Sequence, residues 1–103
     1  MIALIETHRS RLESVCREFG VEHLDVFGSA VSGEFREATS DLDFVADFGG
    51  ARRGIADRYL GFAEALESIF GRPVDVLTER SIRNPIFRRS VDRARTRVYE
   101  RGR

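Results

Sequence analysis

Between Asp41 and Phe48 the chain alternates, with Leu42, Phe44, Ala46 and Phe48 on one side and Asp41, Asp43, Val45 and Asp47 on the other. A period of two is the pattern of a half-buried β-strand. Side chains two apart in a strand share a face, so the carboxylates of Asp41 and Asp43 converge at its head. Any fold for this chain must bury Leu42 and Phe44 while keeping two like charges side by side. Hard divalent cations such as Mg2+ take that donor set, and phosphates bring such cations with them. Just upstream, Val21 to Phe27 reads as a short buried strand that ends at Gly28-Ser29. Such a turn offers backbone N–H groups and a hydroxyl to phosphate oxygens. Residues 27–44 therefore read as a site for a nucleoside triphosphate and two metals.

The rest of the chain supplies a frame for that segment. Ile5, His8, Leu12, Val15, Cys16 and Phe19 follow helical spacing up to Gly20, with His8 read as a packed histidine and Cys16 as core. Residues 28–39 read as loop. Ile55, Tyr59, Phe62, Ala63, Leu66, Ile69 and Phe70 make a second amphipathic helix, closed by Gly71. Pro73-Val74-Asp75-Val76-Leu77 is a third strand, ended by Thr78. Asn84-Pro85 is an N-cap and first-turn pair. Ile86, Phe87, Val91, Ala94 and Val98 then predict a last helix to about Tyr99, packed by those apolar residues. The order α-β-β-α-β-α predicts an α+β fold, helices on a small mixed β-sheet, in a single domain over residues 1–103.

Composition narrows the function classes. No apolar run approaches a membrane span, and the N-terminus lacks the apolar core of a signal peptide. One cysteine, Cys16, excludes an internal disulfide, and a reducing cytoplasmic location is the expectation. Residues 1–79 carry eight arginines against fifteen acids, whereas residues 80–103 carry nine against two. That asymmetry predicts an acidic, cation-binding body with a basic end that meets an acidic protein surface, meets nucleic acid, or is simply solvated. There is no lysine, so a Schiff-base or P-loop lysine is unavailable and phosphates must be held by arginine, backbone amides or metal.

Asp75 is the third element of the chemistry. An aspartate inside a short apolar strand is costly to bury unless something pairs with it. If its strand lies beside that of Asp41 and Asp43, three carboxylates meet at one face and can hold two Mg2+, which suits in-line phosphoryl displacement. Asp41 and Asp43 would hold the nucleotide-associated metal, and Asp75 would serve nearest the attacking hydroxyl as metal ligand or general base. Gly28 lets the backbone approach the triphosphate, and Ser29 holds terminal phosphates. Ser40 caps or orients the turn before Asp41, and Gly33 supplies an unusual loop conformation.

Gly28-Ser29, Gly33 and Ser40-Asp41-x-Asp43 resemble the signature of the DNA polymerase β-type nucleotidyltransferase superfamily. The short length, Phe27-Gly28-Ser29 and Arg72-Pro73-Val74-Asp75-Val76-Leu77-Thr78 resemble its minimal nucleotidyltransferase (MNT) branch. The resemblance runs from the first strand through the last helix. It implies a polymerase β-like mixed sheet with helices on one side, and Mg-ATP as donor. It also implies a partner: prokaryotic members of the branch are often the antitoxin of a type VII-like module with a helical HEPN ribonuclease toxin, and transfer AMP to a tyrosine of that toxin. By motif position it makes Asp41, Asp43 and Asp75 the metal carboxylates, and Gly28 and Ser29 phosphate ligands. Two positions depart from the pattern. Many relatives carry arginine just after Gly-Ser and again before the second glycine, where this chain has Ala30 and Ser32; Arg36 is the cation left in that loop.

Two further readings compete with adenylyl transfer to a partner: an antitoxin that neutralises by contact alone, and a transferase acting on a small molecule or RNA. Three converging carboxylates favour catalysis. A chain this short should borrow its acceptor site from a partner protein, with nucleic acid less favoured and homo- or hetero-oligomers both open. The last helix, crowded by Arg83, Arg88, Arg89, Arg93, Arg95 and Arg97, is the expected interface.

Overall fold

The computed structural model describes residues 3–28, 41–50 and 54–102. The N-terminal apolar stripe is carried on two helices, α1 (Ala3–Thr7) and α2 (Arg9–Glu18), which meet at His8. Ile5, Leu12 and Cys16 from this stripe are buried, and the His8 ring packs edge-on against Phe70 at 5.7 Å. Three strands and a helix follow: β1 (His23–Phe27), β2 (Leu42–Asp47), α3 (Ile55–Phe70) and β3 (Val74–Thr78). A 3-10 turn at Glu79–Ser81 leads to α4 (Pro85–Ala94) and β4 (Thr96–Glu100).

The strands form one mixed sheet in the order β3-β2-β1-β4. β1 runs antiparallel to both β2 and β4, whereas β2 and β3 are parallel and joined across α3. Alternation sorts β1 and β2 between two layers. Leu24, Val26, Leu42, Phe44 and Ala46 enter the main core with Leu12, Cys16, Phe62, Leu66 and Phe70. Val45 turns to the opposite face, where it meets Ile82 and Val91 with Phe27 and Leu77 at the margin. Helices therefore cover both faces, and the expectation of helices on one side is corrected: α4 lies across the face opposite α2 and α3.

Gly61, in the middle of α3, has a packing reason. A Cβ there would stand 2.7 Å from Cε1 of Phe19, so the missing side chain lets α3 pass close to the end of α2. Arg58 ties the same junction, donating from Nε to the Phe19 carbonyl at 3.1 Å and from Nη2 to that of Gly20 at 3.0 Å. Those carbonyls close α2, where a cation is favourable.

The predicted last helix is corrected at its C-terminal half. It starts as expected: Asn84 Oδ1 accepts from the amides of Ile86 and Phe87 at 2.9 and 3.1 Å, with Pro85 in the first turn. It ends at Ala94, and Arg95 is already extended, with ψ 138°. Residues 96–100 pair instead with the free edge of β1, Leu24 opposite Tyr99 and Val26 opposite Thr96. Val91 and Val98 fit one helical stripe in sequence, yet Val91 packs on the second face and Val98 in the main core. Ile86 and Phe87, expected to point inward, are 74% and 44% exposed.

Candidate active site

β2 positions the carboxylates. Leu42 is fully buried in the main core, so its neighbours Asp41 and Asp43 project to the opposite side of the sheet. Parallel pairing of β2 with β3 then sets Asp43 directly beside Asp75 in register. The Asp75 and Asp41 carboxylates both act on Asp43 and resist its ionisation. The three sequence-predicted carboxylates are thus brought to one end of one sheet face. Asp75 is exposed on the edge strand, so the expected cost of burying it does not arise.

Asp43 is the inner member of the three. Burial, first, and then the charge and hydrogen bond of Asp75 and the charge of Asp41 push its carboxyl from 3.8 up to about 6. Burial and the neighbouring like charges both penalise ionisation of Asp43, and a cation bound between the carboxylates would offset both. Phe27 faces Asp43 from β1, and the chain then turns at Gly28 with φ +74°. A Cβ on Gly28 would stand 2.5 Å from Oδ2 of Asp43. The close approach that needs glycine here, among the described residues, is to the carboxylate itself. Ser29, Gly33 and Ser40, and with them Ala30, Ser32 and Arg36, lie outside the described residues.

The donor set is all carboxylate oxygen, which suits Mg2+. Among the described residues no three His, Cys, Asp or Glu side chains close into a cage of their own. That is compatible with Mg2+, which is usually held by one or two carboxylates with phosphates and water completing its shell.

The same face holds an ion network that sequence reading did not single out. Asp25, in the middle of β1 and 2% exposed, accepts from Nε of Arg95 at 2.6 Å and from Nε of Arg97 at 2.5 Å. Arg95 also bonds Glu79 and Asp92, and Arg88 bonds Glu79 at 2.9 Å. Arg95 and Arg88 hold Glu79 well below its ordinary range, at about 2. This network clamps the 3-10 turn, α4 and β4 onto the sheet behind the carboxylates. It also corrects the expected interface: Arg88, Arg95 and Arg97 are engaged internally. Phe87, also missed, packs edge-on against Phe27 at 6.4 Å and so borders the carboxylate end of the sheet. An aspartate in an otherwise apolar strand was the available signal for Asp25; nothing in the sequence marked Phe87 as outward-facing.

Comparison with known proteins gives a consistent picture. The nucleotidyltransferase domain family model matches residues 9–101. A Methanocaldococcus jannaschii protein assigned as a protein adenylyltransferase is 32% identical over 86% of this chain and 85% of its own length. The protein adenylyltransferase MntA of Thermococcus cleftensis is 31% identical over 82% of this chain and 79% of its own length. A solved structure described as a minimal nucleotidyltransferase superposes with a TM-score of 0.74 at 32% identity, covering 92% of this chain and 95% of that one. In fold alone, the chain also matches, at 15% identity and a TM-score of 0.64, a chain from the complex of a tri-AMPylated Shewanella oneidensis HEPN toxin with its MNT antitoxin; 92% of this chain and 71% of that one are covered.

Proposed function

This chain belongs to the nucleotidyltransferase domain family, and on that premise we propose that it transfers AMP from Mg-ATP to a tyrosine hydroxyl of a cognate HEPN toxin, as the antitoxin of the pair. The observation that carries the reading is the register of Asp43 against Asp75 on parallel strands, with Asp41 at the head of the same face. A purely adhesive protein gains nothing by setting like charges side by side at such a cost to the ionisation of Asp43. The relatives named as protein adenylyltransferases support the reaction, and the fold neighbour solved in complex with a HEPN toxin supports the partner.

In the reaction the tyrosine oxygen forms a bond to the α-phosphorus while the bond from that phosphorus to the bridging oxygen of the β-phosphate breaks. Pyrophosphate leaves with the electron pair. The phenolic proton passes to a carboxylate oxygen of Asp75, the exposed member of the pair and the one an incoming protein meets first. Asp41, Asp43 and Asp75 would hold the Mg2+, whose bound charge offsets that of the triphosphate. Gly28, by leaving Oδ2 of Asp43 unobstructed, keeps that carboxylate aimed into the site. Ser29, Gly33 and Ser40 are assigned to the phosphates and the loop around them.

The test is incubation of the purified chain with the HEPN-type protein proposed as its toxin, Mg2+ and ATP labelled at the α-phosphate. Label should appear on the toxin and be removed by Asp43→Asn and by Asp75→Asn. An unlabelled toxin that both variants still inhibit would replace transfer by neutralisation through contact.

A further inference from the structure

We propose that the outward face of α4, with Ile86 and Phe87 at its centre and Arg83, Arg89 and Arg93 around them, is the docking surface for the acceptor protein, and that it receives an acidic segment bearing apolar side chains. The proposal rests on the reading above that the acceptor is a protein.

Three observations converge. First, the large exposed hydrophobic residues among those described are Leu60, Ile86 and Phe87, and two of the three are neighbours in the first turn of α4. The Asn84 cap holds that turn in place, so the two side chains are presented by a fixed helix end. Ile86 and Phe87 line a shallow hollow with Ser81, Arg83, Asn84 and Ser90.

Second, the arginines divide into two populations. Arg88, Arg95 and Arg97 each bond acidic side chains of the same domain. Among the described residues Arg83 and Arg93 form no ion pair, and Arg89 donates only to the Pro85 carbonyl of its own helix. The unpaired three are also exposed. They surround the apolar pair, and Arg89 and Arg93 share with Ile86 a second hollow farther along the helix. Unneutralised guanidinium groups around an apolar centre complement a segment with carboxylates around an apolar anchor.

Third, the patch is continuous with the chemistry. Phe87 rests on Phe27, and Phe27 stands opposite Asp43. A protein seated on α4 would therefore be held at the border of the carboxylate site, where an acceptor hydroxyl has to arrive. Nucleic acid fits less well. Ile86, 74% exposed at the centre, offers nothing to a phosphate.

The test measures binding of the same HEPN-type toxin without ATP, and then transfer to it. Ile86→Ser and the triple variant Arg83→Gln, Arg89→Gln, Arg93→Gln should each weaken toxin binding about tenfold or more. In labelling assays they should raise KM for the toxin while leaving KM for ATP and kcat unchanged. The triple variant should also flatten the salt dependence of binding. All these side chains are exposed, so melting temperatures should match the parent protein and exclude misfolding. Unchanged toxin affinity in both variants, a parent chain that fails to bind the toxin, or single-stranded RNA that occupies the patch without displacing the toxin would each overturn the proposal. A toxin bound through this face but never labelled would overturn the transfer reading and leave the docking surface standing.

Discussion

Oδ2 of Asp43 lies where a side chain on residue 28 would have to go: a Cβ at Gly28 would stand 2.5 Å from it. Gly28 also has φ +74°, which an L side chain adopts only with strain. Gly28→Ala should cost about 2 kcal/mol or more in unfolding free energy, from left-handed strain and the clash together. The clash can be separated from the strain. In an Asp43→Ala background the same substitution should cost less, since only the strain remains, and a urea-unfolding double-mutant cycle reads the difference. Equal costs in the two backgrounds would show that Asp43 does not set the requirement for glycine.

Asp43 should make the metal-free protein less stable at neutral pH than in mild acid. Its carboxyl is raised from 3.8 to about 6, so the folded state binds a proton more tightly than the unfolded one. The associated stability is fully present below 3.8 and is lost as pH rises through about 6. With EDTA present, melting temperature should fall between pH 5 and pH 7, and Asp43→Asn should remove that part of the fall. Added Mg2+ should restore stability at pH 7 more than at pH 5, because protons and metal compete for the same oxygens.

Asp25 should be among the most sensitive positions of the second face. It is 2% exposed and accepts from two arginines. Asp25→Ala leaves Arg95, with 16% of its side chain exposed, without its carboxylate partner in β1. A loss of about 3 kcal/mol is expected, tempered by the greater exposure of Arg97. Arg95→Lys should recover little, since one ammonium cannot span Asp25, Glu79 and Asp92 as the guanidinium fork does.

Glu79 sets the opposite pH limb. Hydrogen bonds from Arg95 and Arg88 hold its carboxyl at about 2 instead of 4.5. Its contribution is present above pH 4.5 and lost as pH falls toward 2. Glu79→Gln should lower stability at pH 7 and flatten the acid limb of a melting profile. An acid limb unchanged in that variant would place the sensitivity elsewhere.

How much of this was legible before the structure depends on how far each partner lies along the chain. The strand over Asp41–Phe48 announced itself because its burial repeats at the pleat period, and the same repeat aimed Asp41 and Asp43 together. Asp75 became interpretable only as a companion to them, since an aspartate on an edge strand is ordinary alone. The boundary between α4 and β4 was hidden by coincidence: Val91, Ala94 and Val98 keep helical spacing although Val91 and Val98 belong to opposite faces of the sheet. Asp25 stood out only as an aspartate in an apolar strand, and what it pairs with was hidden for a related reason. Its partners, Arg95 and Arg97, approach from the other end of the chain, and no local pattern reports a contact at that separation. The free and engaged arginines look alike in sequence because their difference lies in what folds against them.

β3 reaches its place beside β2 only after the sixteen residues of α3 have crossed the sheet, and as an edge strand it has one hydrogen-bonded neighbour. Tyr59 adds a tether from α3, its hydroxyl donating to the Val76 carbonyl. The order of assembly follows from that path. Asp75 joins Gly28, Asp41 and Asp43 only once β3 has docked on β2, and until then these three are an incomplete set. In the finished protein the edge is also where local opening costs least. Amides of β3 should exchange with solvent ahead of those of β1, and each opening takes Asp75 away from Asp43 while the rest of the domain stays folded.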